Sequence, residues 1–311
     1  MNHRVPGKKV VFLLFLLILI VSFSGCTKKV EVNRKISPMA TSGMITYGLY
    51  NMDGEIENAH HFEIKSDETF EKIFSFGNLI EFERDYRLLI FSNYIQVDFS
   101  VNGRIPTSYF DFTAKPNEHI DFTFSIPGLQ DGFYDLLFVI VKDPNNLSLD
   151  EEYRKQTDLS HLTIMRYSLQ KGEDKPNTEV PVINVLDTSE DTMLNGIFLN
   201  QHSDKLQRLL TLECDSNEDN NLYVHIGNQT EEEHEYIVIL LCDWNQISID
   251  LQNMIYCSVP ARSRSVLPVR ISITEEGIHN ITAICVQDPF LLITDKTPRP
   301  DFSIRVGINV K

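Results

Sequence analysis

The side chains able to do chemistry in this chain of 311 residues are five cysteines, nine histidines and 44 carboxylates. One cysteine, Cys26, stands alone after a long apolar run. The other four, Cys214, Cys242, Cys257 and Cys285, all lie in the C-terminal half. No CxxC spacing joins them, so no zinc-knuckle pattern is present. Four cysteines permit three disulfide pairings. Cys214 and Cys285 occupy apolar strand positions, where a buried thiol acts as a small hydrophobe; thiol and disulfide states both stay open. "DSNEDNN", Asp215 to Asn221, alternates oxygen side chains in the manner of a calcium loop. However, it carries Asn220 where glycine is required and Ile226 where the bidentate glutamate belongs. His60 and His61 point to opposite faces of a strand and cannot chelate one ion together. His225, His234 and His279 fall on separate strands with no motif linking them. There is no GxSxG, no HExxH and no glycine-rich phosphate loop. A carboxylate pair for glycoside hydrolysis has a spacing that exists only in three dimensions. The expectation is a protein with no catalytic residues, no metal ligands and no cofactor.

Cys26 has a different context. Arg4, Lys8 and Lys9 form a positive leader, and Val10 to Val21 form an apolar stretch of about twelve residues, the length of an export signal. A bilayer-spanning helix needs roughly 20. Phe23-Ser24-Gly25-Cys26 resembles the lipobox of bacterial lipoprotein signal peptides, with Phe23 where Leu is usual. The resemblance implies a diacylglyceryl group on the Cys26 sulfur and cleavage before it, leaving Cys26 as the new N-terminus. Two acyl chains suffice for stable anchoring, each buried methylene contributing about 0.8 kcal/mol. The expected location is the extracytoplasmic face of the cell membrane.

Loss of residues 1–25 would remove three basic residues and no acidic ones, moving the formal charge from −16 to −19. So acidic a body is unsuited to nucleic acid and is repelled by anionic lipid. Next to Cys26 the sign reverses. Lys28, Lys29, Arg34 and Lys35 would be drawn to anionic headgroups, and "SPMATSG" completes a flexible tether, 26–43.

Beyond the tether the chain is rich in aromatic and β-branched residues and alternates with period two. In "HIDFTFSI", Ile120, Phe122, Phe124 and Ile126 share one face while Asp121, Thr123 and Ser125 share the other, the pattern of a half-buried strand. The chain also repeats. With a shift of 150, Gly77-Asn78 falls on Gly227-Asn228, Tyr86 on Tyr236, Tyr94 on Trp244 and Gln96 on Gln246. With a shift of 145, Gly132 falls on Gly277 and Asp143-Pro144 on Asp288-Pro289. Near the ends, Arg166 corresponds to Arg305. This period is far longer than a solenoid unit. The organisation expected is two copies of one all-β domain, at 44–169 and 183–311, joined by a linker, 170–182.

"LQDGFYDLLFVIV", Leu129 to Val141, resembles the corner leading into strand F of immunoglobulin-like sandwiches, where a tyrosine hydroxyl bonds back to the chain. Asp131, Gly132 and Tyr134 carry the resemblance. Glu276, Gly277 and His279 stand there in the second copy, which lacks the hydroxyl. Leu136 and Ile281 replace the antibody-type cysteine. The resemblance implies two tandem immunoglobulin-like or fibronectin-like antiparallel β-sandwiches of seven to nine strands each. In the second copy strands are predicted near 207–214, 221–227, 235–243, 246–250, 254–258, 266–273, 278–286 and 301–310.

Features present in both copies are assigned to the scaffold: the Gly-Asn and Asp-Pro pairs and the late arginines. Single-copy features are the functional candidates. These are the long loop Asn145 to His161 after strand F, where sandwiches often bind partners, and the basic tip Arg262 to Arg264, read as solvated. The function expected is a non-enzymatic, lipid-anchored spacer or protein-binding module at a bacterial envelope, held to the membrane through Cys26, with a protein partner and no nucleic acid. The competing expectation is a binding protein for carbohydrate or another small ligand, with Tyr94 or Trp244 exposed in a groove. A third is an envelope hydrolase with paired carboxylates in a deep cleft.

Overall fold

In the first copy, alternating apolar and polar residues build strands β1 (Ile45–Tyr50), β2 (His61–Ile64), β3 (Phe70–Asn78), β4 (Arg84–Ser92), β5 (Ile95–Gln96), β6 (Ser100–Val101), β7 (Phe110–Ala114), β8 (Glu118–Ile126), β9 (Gly132–Lys142) and β10 (Leu162–Lys171). The second copy contributes β11 (Asp187–Glu190), β12 (Gly196–Asn200), β13 (Thr211–Cys214), β14 (Asp219–Asn228), β15 (His234–Cys242), β16 (Asn245–Ile247), β17 (Ile255–Val259), β18 (Ser263–Ser272), β19 (Gly277–Gln287), β20 (Asp301–Phe302) and β21 (Val306–Val310). The structure, a computed structural model, describes residues 44–151, 154, 162–173, 184, 186–190, 193–216, 218–249 and 251–311. Cys26, the export segment and the tether lie outside the described residues, as do most of the linker and positions 155–161. Among the described residues no helix is long and apolar enough to cross a membrane.

Each copy is a β-sandwich. One sheet runs β1-β3-β8-β6; in the second copy β12-β14-β18 match the first three of these strands, and β11, which precedes β12 in the chain, takes the edge that β6 holds. The other runs β2-β10-β9-β4-β5, with β7 also on β4; its counterpart is β13-β21-β19-β15-β16, with β17 on β15 and β20 on β19. The pairing corrects the expectation of purely antiparallel sheets, because β2 lies parallel to β10 and β13 parallel to β21. The first copy also extends past residue 169. β10 continues to Lys171, and the Gly172 N–H donates to the Ile64 carbonyl at 2.9 Å. The edge strands β11 and β12 were not anticipated. β11 is exposed along its whole length, so its sequence carries no apolar alternation to find.

The repeated Gly-Asn pair serves each scaffold in the same way. Asn78 Nδ2 donates to the Phe82, Ala114 and Lys115 carbonyls, and Asn228 Nδ2 to those of Glu232, Val259 and Pro260. A Cβ on Gly227 would sit 2.1 Å from the Leu194 carbonyl oxygen, so only glycine allows β12 to pair at that point. The corner expected in the first copy is present, with Tyr134 Oη donating to the Gln130 carbonyl at 2.7 Å. In the second copy the imidazole takes over: His279 Nε2 lies 2.9 Å from the Glu275 carbonyl, the equivalent position. The missing hydroxyl is thus replaced.

Among the described residues there are three hydrophobic cores, two of which fill the sandwiches. One is rich in phenylalanine, and the other is built from Leu, Ile and Val around Cys257 and Cys285. The third core lies between the copies. Leu88 and Ile90 of β4 face the first sandwich's interior, while Leu89 and Phe91 face outward into this third core with Leu137, Val139 and Val141 of β9. Ile237, Ile239 and Leu241 of β15 and Ile284 and Val286 of β19 meet them from the second copy. Strands apolar on both faces read as unbroken apolar runs, such as "LLIF" and "YIVILL".

Candidate functional site: the seam between the copies

The seam is two-fold in character. The Gln96 N–H donates to Gln246 Oε1 at 2.7 Å, and the Gln246 N–H donates to Gln96 Oε1 at 2.7 Å. Their amide nitrogens donate onward, Gln96 Nε2 to the Trp244 carbonyl and Gln246 Nε2 to the Tyr94 carbonyl. The late arginines also exchange partners. Arg166 Nη1 and Nη2 reach the Gln287 and Asp288 carbonyls, each at 2.8 Å. Arg305 Nη2 and Nη1 reach the equivalent Lys142 and Asp143 carbonyls at 2.8 and 3.0 Å. This is the isologous pattern of a symmetric dimer, realised within one chain.

The turns explain how these groups arrive there. Asn93-Tyr94 and Asp243-Trp244 both occupy left-handed hairpin turns, with φ of 47° and 66° in the first and 47° and 70° in the second. A bulky residue there costs on the order of 1–2 kcal/mol, offset by burial of the ring. Tyr94 is wholly buried and Trp244 nearly so, at 3 % exposure. Trp244 Nε1 donates to the Pro144 carbonyl at 2.7 Å, and the Arg305 guanidinium stacks 4.5 Å from the indole centroid. Tyr94 Oη donates to Asp135 Oδ2 and accepts from Arg166 Nη2 and the Phe290 N–H. Burial, with the neighbouring Asp135 charge, pushes the Tyr94 hydroxyl well above its ordinary range. The aromatic groove of the competing expectation is overturned, because both rings are sealed in the seam.

The polar centre of the seam differs between the copies. In the first, Asp135 and Arg166 form a buried ion pair with side chains 0 and 3 % exposed and Nη2–Oδ2 at 2.7 Å. In the second, Asn280 replaces the aspartate, and a second arginine arrives from the long loop. Arg154 Nη2 donates to Asn280 Oδ1 and its Nη1 to the Arg305 carbonyl, both at 3.1 Å. Gly307 leaves the space this guanidinium fills; a Cβ there would sit 2.5 Å from Arg154 Cζ. The described part of the long loop is therefore fastened to the second copy.

The remaining candidates separate. Among the cysteines, Cys214, Cys242, Cys257 and Cys285 are free thiols. Burial raises Cys242 and Cys257 to about 12 and Cys285 well above its usual value. The three single histidines do not converge. His225 is wholly buried against Asn200 and the His202 carbonyl, His234 pairs with Asp288, and His279 with Asp243. The described part of "DSNEDNN" closes a turn, the Glu218 N–H reaching the Asp215 carbonyl at 3.3 Å, and then enters β14. Of the basic tip, Arg262 pairs with Glu231 at the surface; Arg264, expected to be solvated, is buried at 8 % exposure.

Two arrangements could not be seen in the sequence. Ser168 Oγ lies 2.9 Å from His61 Nδ1, and His61 Nε2 lies 3.6 Å from Glu63. These are the residue types of a hydrolytic triad, but Ser168 is wholly buried and its Oγ accepts the Ile293 N–H at 3.2 Å. The 3.6 Å between His61 and Glu63 is too long for a hydrogen bond. The group ties a second-copy loop onto β10. Beside it, a crevice of about 380 Å³ opens between the copies. His60 stacks on Tyr167 at its wall and meets Asp295 at 3.0 Å.

Comparison with known protein families and with curated proteins finds no match. Similarity to solved structures is low and includes domains of the following kinds. The CARDB domain of the PF1109 protein from Pyrococcus furiosus, in complex with di-metal ions, is 12 % identical over 45 % of this chain and all of that one, with a TM-score of 0.28. The SafA pilin of Salmonella enterica in complex with the SafB chaperone is 12 % identical over 86 % of this chain and 98 % of that one, with a TM-score of 0.26. The PapD-like domain of human CEP192 is 12 % identical over 47 % and 97 %, with a TM-score of 0.23.

Proposed function

We propose that the protein is a lipid-anchored, non-enzymatic module on the extracytoplasmic face of a bacterial membrane, presenting two fused immunoglobulin-like sandwiches to a protein partner. The observation that carries the reading is the reciprocal seam. It consumes both candidate ring platforms and the fastened part of the long loop in holding the copies together, and so makes the pair one stiff body. A stiff body on a tether of about 18 residues suits a spacer that displays a binding surface away from the bilayer. The net charge favours standing off anionic headgroups, while Lys28 and Lys29 hold the tether down. Among the described residues, Ile105, Leu251 and Met193, each at least 87 % accessible, are apolar side chains open to such a partner.

The test is metabolic labelling with a radioactive fatty acid in a bacterial host. The wild-type chain should carry label and fractionate with membranes; Cys26→Ala should lose the label and leave the membrane fraction. An unlabelled wild-type chain, or a mature N-terminus other than Cys26, overturns the reading.

A further inference from the structure

We infer that Cys242, Asp243 and His279 form a site for a divalent transition-metal ion of zinc type, at the second copy's end of the seam. The thiol, carboxylate and imidazole ligand atoms all lie within 4.8 Å of one another. Asp243 and Cys242 are sequence neighbours that would oppose one another in a regular strand. The left-handed φ of 47° at Asp243 breaks that alternation and lets both turn toward His279.

The internal repeat acts as the control. At the equivalent positions the first copy holds Ser92, Asn93 and Tyr134. The scaffold bonds are the same in both. The Asp135 N–H donates to Asn93 Oδ1 at 2.9 Å, and the Asn280 N–H to Asp243 Oδ1 at 2.8 Å. The Asn93 N–H donates to the Asp135 carbonyl as the Asp243 N–H does to that of Asn280. Tyr134 and His279 each bond to the carbonyl four residues back. With a hydroxyl, an amide and a phenol there, none of them a usual zinc ligand, the first copy thus makes the same scaffold bonds. In the second copy all three are exchanged for metal-ligating types while these three bonds are kept; only the weak Asn93 Nδ2 bond to the Phe133 carbonyl, at 3.5 Å, has no counterpart.

The orientation suits coordination. With Nε2 donating to the Glu275 carbonyl, the His279 ring is fixed as a ligating histidine usually is, with Nδ1 turned inward. Nδ1 lies 2.6 Å from Asp243 Oδ2, the carboxylate oxygen not engaged by Asn280. A tetrahedral ion holds its ligand atoms about 3.3–3.7 Å apart, so this pair opens by roughly 0.7 Å as the Cys242 sulfur closes in. One thiolate, one imidazole and one carboxylate form a mixed set that suits zinc and leaves a fourth position for water. Asp243 is 38 % exposed at the side chain, which gives the ion an entry path.

The experiment uses the full chain purified in detergent and titrated with zinc by calorimetry, with cobalt as the spectroscopic probe. One zinc per chain is expected, with a thiolate-to-cobalt charge-transfer band. Replacing the three by the first copy's own residues, Cys242→Ser, Asp243→Asn and His279→Tyr, should keep the fold and abolish both signals. Each single change should weaken zinc by more than roughly 10-fold, the least that loss of an outer-shell partner produces. Zinc binding that survives the triple change, or a cobalt complex without the thiolate band, overturns the assignment.

Discussion

Gln96 and Gln246, 150 positions apart, each give a backbone N–H to the other's side-chain oxygen at 2.7 Å. The relationship is reciprocal, so it defines the axis about which the copies are arranged. Two sheets that would otherwise face water instead bury a third core around that axis. The same exchange governs Arg166 and Arg305, whose carbonyl acceptors lie on the opposite copy.

Those arginines are equivalent in position but not in energy. Arg166 neutralises the buried Asp135 carboxylate, whereas Arg305 meets neutral carbonyls and the Trp244 face. Arg166→Ala should cost about 3–5 kcal/mol by leaving a buried charge unpaired. Arg305→Ala should cost about 1.5–3 kcal/mol. Urea denaturation measures both. Asp135→Asn with Arg166→Met should recover part of the loss, because no buried charge is then left unpaired.

Trp244 is the only tryptophan and lies in the seam, so its emission reports whether the copies are docked. In the wild type, the red shift of emission and the loss of far-ultraviolet dichroism should coincide in one transition. In Ile239→Asp, which buries a charge in the third core, the red shift should come at lower denaturant than the loss of strand signal. A red shift that precedes sheet loss in the wild type would mean the copies separate before they unfold.

Asn78 and Asn228 each hold three carbonyls from one amide nitrogen. Replacing either by Asp removes the donor while keeping the shape, and should cost about 2–3 kcal/mol in thermal or chemical denaturation. The two losses should be similar, since each amide nitrogen meets three equivalent carbonyls.

Thiol reactivity should follow burial. Cys214 is raised above its usual value but half-exposed, while Cys242 and Cys257 sit at about 12 and burial holds Cys285 well above its usual value. Alkylation of the folded protein at pH 8, read by peptide mass spectrometry, should label Cys214 first and the buried Cys257 and Cys285 last. Raising the pH toward 10 should speed Cys214 most, because only the thiolate attacks. In urea the four rates should converge.

Much of the fold was legible in the chain itself. Period-two alternation marks β8, and the constant shifts of 150 and 145 identify two copies and pair Gln96 with Gln246 and Arg166 with Arg305. Tyr134 announces the corner that its hydroxyl makes. The double apolar faces of β4 and β15 were written in their unbroken runs, which require burial on both sides. Local pattern reports which surface must leave water, but not what will cover it.

Tertiary structure alone decided the covering. Each copy's outward sheet meets the other's, the late arginines cross to opposite partners, and Tyr94 and Trp244 become core rather than groove. It also gathered Cys242, Asp243 and His279, whose 36-residue separation from Asp243 to His279 hides a meeting set by the pairing of β15 with β19. Sequence fixes side-chain types and periodicity, which act over a few residues. Convergence of distant groups depends on register and on left-handed turns, which only the folded chain supplies.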